Sequence, residues 1–248
     1  MKKAALITGA SSGIGLATAL EFSRNGYFVY LMGRNKEALT ETALQCRAGA
    51  SVLSCDLKDP AAVEKRLAEV FNNKIYRLEV LVNNAGIFTR GLIEESSDAL
   101  WTEQFEVNMM GPVRVTRGLW SYFKAHGGGS IVNVSSTLGL RPTQDTAVYS
   151  AVKAAVINWT SSLAQEGGPH QIRVNCVCPG IVQTPIHGFD KMPPELRDET
   201  LQQLQNLQPL GRIGVPEDIA KTIYFLGSPA SSWTTGSIVS VDGGINLV

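Results

Sequence analysis

Short apolar runs, rich in β-branched residues, recur along the chain at residues 3–8, 27–32, 51–55, 80–82, 130–135 and 173–178. Each is followed by a longer stretch with helical spacing of its apolar positions. The first such stretch places Ile14, Ala17 and Thr18 on one face and stops at Gly26. The run 131–134 is preceded by Gly127-Gly128-Gly129, while the pattern leaving residue 153 meets no breaker until Gly167. Strand and helix therefore alternate, which predicts a parallel, doubly wound α/β sheet of the Rossmann type, with right-handed crossovers and helices on both faces. No repeat or linker interrupts the alternation, so residues 1–248 are expected to form one domain.

Ligands in such sheets bind beyond the carboxyl ends of the strands, near the point where strand order reverses. Gly9, Asn83, Ser136 and Pro179 all follow predicted strands, so four separate motifs converge on that one edge. Between the first strand and first helix stands Gly9-Ala10-Ser11-Ser12-Gly13-Ile14-Gly15. Glycines there let backbone N–H groups approach a pyrophosphate, and the helix dipole favours its negative charge. The spacing is Gly-x-x-x-Gly-x-Gly rather than the common Gly-x-Gly-x-x-Gly, yet the physics of a phosphate cradle is kept.

A second candidate lies in residues 136–153. Ser136 falls at a strand end, and Tyr149 and Lys153, four apart near a helix start, share one helix face. A free phenol titrates near 10, so lowering it by about three units, worth about 4 kcal/mol, would make it a useful acid and base at pH 7. An ammonium at ~4 Å in an effective dielectric of ~20 supplies about that much. Taken alone, Tyr-x-x-x-Lys is equally well explained by a buried Tyr and a Lys that snorkels to the surface.

Together, Thr8-Gly9-Ala10-Ser11-Ser12-Gly13-Ile14-Gly15, Asn83-Asn84-Ala85-Gly86, Asn108, Ser136, Tyr149-Ser150-Ala151-Val152-Lys153 and Pro179-Gly180 with Thr184 resemble the ordered motif set of the short-chain dehydrogenase/reductase family. The resemblance runs nearly end to end. It implies a nicotinamide-dependent oxidoreductase that moves a hydride between the cofactor and a carbonyl or secondary alcohol. Asn108, Ser136, Tyr149 and Lys153 would be its catalytic tetrad: Ser136 holds the oxygen, Tyr149 exchanges the proton, Lys153 lowers the phenol pKa and holds the nicotinamide ribose, and the Asn108 carbonyl supports a water relay. By the same resemblance Gly9, Ser11, Ser12, Gly13, Ile14 and Gly15 cradle the phosphates. Asp56 and Leu57 meet the adenine, Asn84, Ala85 and Gly86 line its ribose, and Pro179, Gly180 and Thr184 lie by the nicotinamide. Residues 185–210 depart from the family core and are expected to form a substrate lid, with Ile186, Phe189, Met192 and Leu196 facing the substrate. The closing helix and strand, with Ile223, Phe225, Leu226, Ile238 and Val241, look like the family's tetramer interface.

The end of the second strand bears on cofactor choice. Where an NAD enzyme places Asp or Glu, this chain has Met32-Gly33-Arg34-Asn35. Gly33 makes room for a 2′-phosphate and Arg34 can pair with it, with Ser11 adding a hydroxyl. NADP(H) is favoured, with NAD(H), as in alcohol dehydrogenases of the same family, the alternative. A non-catalytic dinucleotide sensor would need the glycine loop but not the tetrad. A nucleotide-sugar epimerase shares Tyr-x-x-x-Lys but usually has other glycine spacing.

Composition narrows the rest. Lys plus Arg and Asp plus Glu number 22 each, so net charge is zero and no basic excess points to nucleic acid or an anionic membrane. Cys46, Cys55, Cys176 and Cys178 lack metal spacing, and no metal is expected. Plain thiols in a reducing compartment are the reading, and residues 3–8 are needed as a strand rather than a signal segment. A cytoplasmic homo-oligomer acting on a small carbonyl or alcohol is the expectation.

Overall fold

The computed structural model describes residues 1–189 and 192–248. Seven strands form one parallel sheet: β1 (Lys2–Thr8), β2 (Phe28–Gly33), β3 (Ala50–Ser54), β4 (Tyr76–Asn83), β5 (Gly129–Val134), β6 (Ile172–Pro179) and β7 (Ile238–Val241). Their order is β3-β2-β1-β4-β5-β6-β7, so strand order reverses between β1 and β4. The expected doubly wound Rossmann-type sheet is therefore present. β4 starts earlier than its apolar run at 80–82, because residues 76–78 pair with Lys2, Lys3 and Ala4 ahead of an irregularity between Ala4 and Ala5.

Helices cover both faces. On one side α3 (Pro60–Phe71), α5 (Gly111–Ala125) and α6 (Ala147–Gly167) pack Leu67, Leu119, Phe123 and Leu163 against Ala4, Leu6 and Ile131. On the other, α1 (Gly13–Arg24), α2 (Lys36–Gln45) and α8 (Pro216–Gly227) pack Phe22, Leu39 and Ile223 against Ala5, Ile7 and Val132. Alternate residues of each strand thus feed opposite cores, the period-two geometry of a strand. The first layer is bolted to the sheet by a buried polar chain: Asn83 Nδ2 donates to Thr116 Oγ1 and Asn133 Oδ1, and Asn133 Nδ2 donates to Thr160 Oγ1. Such groups are tolerated in a core because they bond one another.

Between α3 and α5 lies α4 (Asp98–Phe105), which runs into a five-residue π turn over Glu106–Met110 and then into α5. A helix α7 (Pro194–Asn206) precedes α8 and buries no side chain. Asp190 and Lys191, within the expected lid, lie outside the described residues. Among the described residues no helix is long and apolar enough to cross a membrane, and no group of three or more His, Cys, Asp or Glu is placed to hold a metal.

Candidate active site

The β1–α1 turn is shaped by close approach. Gly9 takes φ +66, and a Cβ there would come within 2.8 Å of Ala85 Cα; a Cβ on Gly15 would run into Gly9 O. Neither position admits a side chain. Thr8 and Asn84 lock this turn to the end of β4. Asn84 N and Ala85 N both donate to Thr8 Oγ1 at 3.0 Å, and Asn84 Nδ2 donates to the carbonyls of Thr8 and Gly9. Gly13, at φ +51, faces Thr184, whose Cγ2 would lie 3.0 Å from an added Cβ. Residues more than 170 positions apart in sequence thereby meet at the start of α1.

That helix end is open to an anion. The N-caps of α2, α3 and α4, which are Asn35, Asp59 and Ser97, each accept a backbone N–H with their side chains, whereas Ser12 at α1 makes no such bond. Ile14 and Ser11 are half-buried and Ser12 is exposed. Uncapped N–H groups, a glycine turn without side chains and the helix dipole together fit the pyrophosphate of a dinucleotide. At the end of β2, Arg34 is exposed, and its guanidinium makes no hydrogen bond among the described residues. A Cβ on Gly33 would touch only Leu39, at 3.7 Å, so the space beside Arg34 is free. Asp56 closes a local turn by accepting Lys58 N at 2.9 Å, and the helix cap of α3 is Asp59 instead. Leu57 packs against Gly111, and its carbonyl accepts from Arg114.

The second half of the site is built on β5 and α6. Lys153, 4% exposed, donates from Nζ to Val134 O at 2.9 Å, while Ser135 Oγ donates to Lys153 O at 2.8 Å. Ser136 follows at the cap of a short 3-10 turn, Thr137–Gly139, where its Oγ accepts Leu138 N. Gly139 lets that turn lie on the helix: a Cβ there would sit 2.8 Å from Lys153 C. Tyr149, one turn before Lys153, is 7% exposed and within reach of the Ser136 hydroxyl. Asn108 sits in the π turn, 1% exposed. Its Oδ1 accepts Ile87 N, and its Nδ2 donates to Ile87 O and Gln104 Oε1, so the side chain is fully occupied. Gly86 separates Asn108 Oδ1 from Lys153 Nζ, an added Cβ falling 2.7 Å and 3.7 Å from them. Gly180 meets Asp242 at the end of β7, too close for a side chain, and Pro179 is buried. All the positions anticipated for cofactor and catalysis thus border the carboxyl edge of the sheet.

The electrostatics depart from expectation. Burial pushes the Tyr149 phenol up to about 12, and the hydroxyl of Ser136 opposes this only in part. Burial also lowers Lys153 to about 8, against which the nearby Cys176 and Cys178 thiols pull upward. The ammonium, spent on Val134 O, lies 5.6 Å from the centre of the Tyr149 ring. The expected lowering of the phenol by Lys153 is not present in this arrangement: burial raises it, and the ammonium is directed to Val134 O instead. Cys176 and Cys178 do share one face of β6, with their sulfurs 4.0 Å apart, and all four cysteines are buried free thiols.

Several neighbours carry no signal in the sequence. Phe88 meets Tyr149 edge-on at 4.7 Å, while His187 lies 5.9 Å from Phe88 and stacks on Phe189 at 5.1 Å. Aromatic residues in loops are too common for their spacing alone to place them at a site. Of the residues expected to face the substrate, Phe189 is buried and Met192 half-buried, while Ile186, in the short turn Pro185–His187, and Leu196, in α7, are exposed.

A parallel sheet with this order, a glycine turn at its switch point and a Ser, Tyr and Lys on the adjoining strand and helix define a class of nicotinamide-dependent oxidoreductases. The chain belongs to the short-chain dehydrogenase/reductase family. The family described as enoyl-(acyl carrier protein) reductase matches residues 9–246. The 3-oxoacyl-[acyl-carrier-protein] reductase FabG of Thermotoga maritima is 37% identical over 248 residues, covering 98% of this chain and 97% of the relative. Among solved structures, ElxO with NADP bound matches with a TM-score of 0.91 at 30% identity, covering 100% of both chains. L-sorbose reductase from Gluconobacter frateurii, complexed with NADPH and L-sorbose, matches at 0.91 and 32% identity, covering 98% of this chain and 96% of that one.

The buried ammonium makes stability depend on pH. Lys153 titrates near 8 in the folded chain and 10.5 when free, so between these values the unfolded chain holds a proton that the folded one has released. Stability then rises with pH across this window, until Tyr149, shifted from 10.0 to about 12, reverses the trend at higher pH. Between about pH 8 and pH 10 the wild type should gain denaturant stability relative to Lys153→Met. Parallel pH profiles for the two proteins would show that Lys153 is not desolvated as described.

Proposed function

We infer that this protein reduces a ketone to a secondary alcohol with NADPH, and runs the reverse with NADP⁺. The observation that carries this reading is the meeting of Ser136, just after β5, with Tyr149 and Lys153 on α6, beside the open end of α1. Bound NADP(H) supplies or accepts the hydride at C4 of its nicotinamide. The chain's own residues do the rest. Ser136 Oγ holds the substrate oxygen, and Tyr149 passes it a proton. Burial keeps the phenol protonated but a weak acid at neutral pH, so the transfer relies on the Ser136 hydroxyl and the Lys153 ammonium to stabilise the phenolate that forms. Lys153 holds the nicotinamide ribose and, still charged at pH 7, stabilises the phenolate left once the proton has gone. Asn108 positions the segment after β4 through Ile87, and its backbone carbonyl supports a water relay toward Lys153.

For the cofactor, the turn from Gly9 through Ser11, Ser12, Gly13 and Ile14 to Gly15 receives the pyrophosphate. Arg34 and Ser11 take the 2′-phosphate, Asp56 and Leu57 the adenine, and Asn84, Ala85 and Gly86 the ribose. Pro179, Gly180 and Thr184 border the nicotinamide. The free guanidinium of Arg34 supports NADP(H) over NAD(H), as do the NADP and NADPH in the two solved relatives. The same reading makes residues 1–248 one cytoplasmic domain with a lid over 185–210 and a homotetrameric assembly. The absence of any buried side chain in α7 supports the lid. Ile223 and Leu226 fill the core, which leaves exposed Phe225 and Trp233 as support for assembly.

Four expectations test this. Tyr149→Phe should abolish turnover and leave NADPH affinity nearly intact, whereas Lys153→Ala should weaken both; substantial residual turnover in Tyr149→Phe removes the phenol from its role. Gly33→Asp, which the space near Leu39 tolerates, should reverse a wild-type preference for NADPH over NADH in fluorescence titration. Equal wild-type affinities would reduce Arg34 to a surface charge. Light scattering should give a tetramer mass, and hydrogen exchange at 185–210 should slow when cofactor and substrate are added; a monomer, or unchanged exchange, contradicts the respective part.

A further inference from the structure

Phe88 is held as a fixed wall beside Tyr149. Its two chain neighbours are both tied to the α4 segment: the backbone of Ile87 exchanges hydrogen bonds with the Asn108 side chain, and Thr89 Oγ1 accepts from Gln104 Nε2 at 3.1 Å. Gly91 N donates to Asp145 O, which pins the far end of this segment just before α6. Phe88 therefore presents its ring to the phenol at 4.7 Å and an interplanar angle of 72° with little freedom to move away. The segment after β6 brings His187 to Phe88 at 5.9 Å, and Phe189 backs His187 in a near-parallel stack at 24°. A chain of ring contacts thus runs from Tyr149 through Phe88 to His187 and Phe189, joining two distant segments beside the phenol.

The charge around them is neutral. Arg90, 5.8 Å from the Phe88 ring, is paired with Asp145 at 3.3 Å. Burial and Arg90 both lower the basicity of His187, leaving an uncharged imidazole with a flat face at pH 7. Such a wall offers no carboxylate partner but several aromatic edges and faces, which favour another ring in offset or edge-on contact.

We propose that Phe88 and His187 are specificity-determining residues, selecting neutral ketones that carry an aromatic ring directly on the carbonyl carbon. This rests on the assignment of carbonyl reduction to Tyr149, with which such a ketone would share the wall: its oxygen on the phenol, its ring against Phe88 and His187. Each ring contact contributes about two- to tenfold in preference.

The test compares acetophenone with octan-2-one, two ketones of equal carbon number, by kcat/KM with NADPH. The wild type should prefer acetophenone by about tenfold, and Phe88→Leu and His187→Leu should each bring the ratio down by about two- to tenfold while NADPH affinity stays constant. A wild-type ratio near one, or a ratio that neither substitution moves, overturns the proposal. Turnover of neither ketone would count against carbonyl reduction itself. The wall is then judged by saturation-transfer NMR with acetophenone on the NADPH complex, where strong transfer to the ring in wild type and its loss in Phe88→Leu are expected. Equal transfer in both proteins overturns it.

Discussion

A reciprocal pair of hydrogen bonds between β5 and α6 fixes the chemistry of this protein. Lys153 reaches back to Val134 O, and Ser135 reaches forward to Lys153 O. Each bond joins a side chain of one segment to the backbone of the other, so the helix can neither slide nor turn without breaking both. Breaking them would strand a buried ammonium, which is costly. Because α6 is held at this height, Tyr149 comes to the strand end where Ser136 stands, and Gly139 allows the intervening turn to rest on the helix. The same burial that secures the lysine also shifts it and the phenol in opposite directions, each toward its uncharged form.

The cradle at the start of α1 depends on a comparable clamp. Thr8 and Asn84 join the ends of the two strands where sheet order reverses, using both backbone and side-chain groups. Gly86 and Asn108 then link this clamp to Lys153, so the two halves of the site share one rigid floor. Beside that floor, α7 is held by much less. None of its side chains is fully buried, which fits the low local stability that the proposed lid requires.

Much of this was legible in the sequence, for reasons of periodicity. Strands buried on both faces leave unbroken apolar runs, and α6 declared itself by lacking a breaker from 154 to Gly167. The spacing of Tyr149 and Lys153 was enough to place them on one helix face, and the glycine turn was recognisable from its physics rather than its letters. β4 was underestimated because Arg77 and Glu79 interrupt its apolar run, whereas the closing strand with Ile238 and Val241 was anticipated from the family resemblance. The phenol pKa depends on desolvation, which spacing does not report. Neither the Asn83 and Asn133 chain nor the approach of His187 to Phe88 was visible, since each joins segments far apart in sequence through contacts that leave no local pattern.

The central claim is that the bracketed Tyr149 and Lys153 serve a hydride transfer to a carbonyl carbon. It is tested most directly by incubating the enzyme with NADPH deuterated at both C4 positions and a panel of ketones that includes acetophenone, then analysing the alcohol by mass spectrometry and NMR. The account predicts one deuterium on the carbinol carbon and a hydroxyl proton drawn from solvent. An alcohol without deuterium at that carbon, or no alcohol from any ketone in the panel, would contradict it.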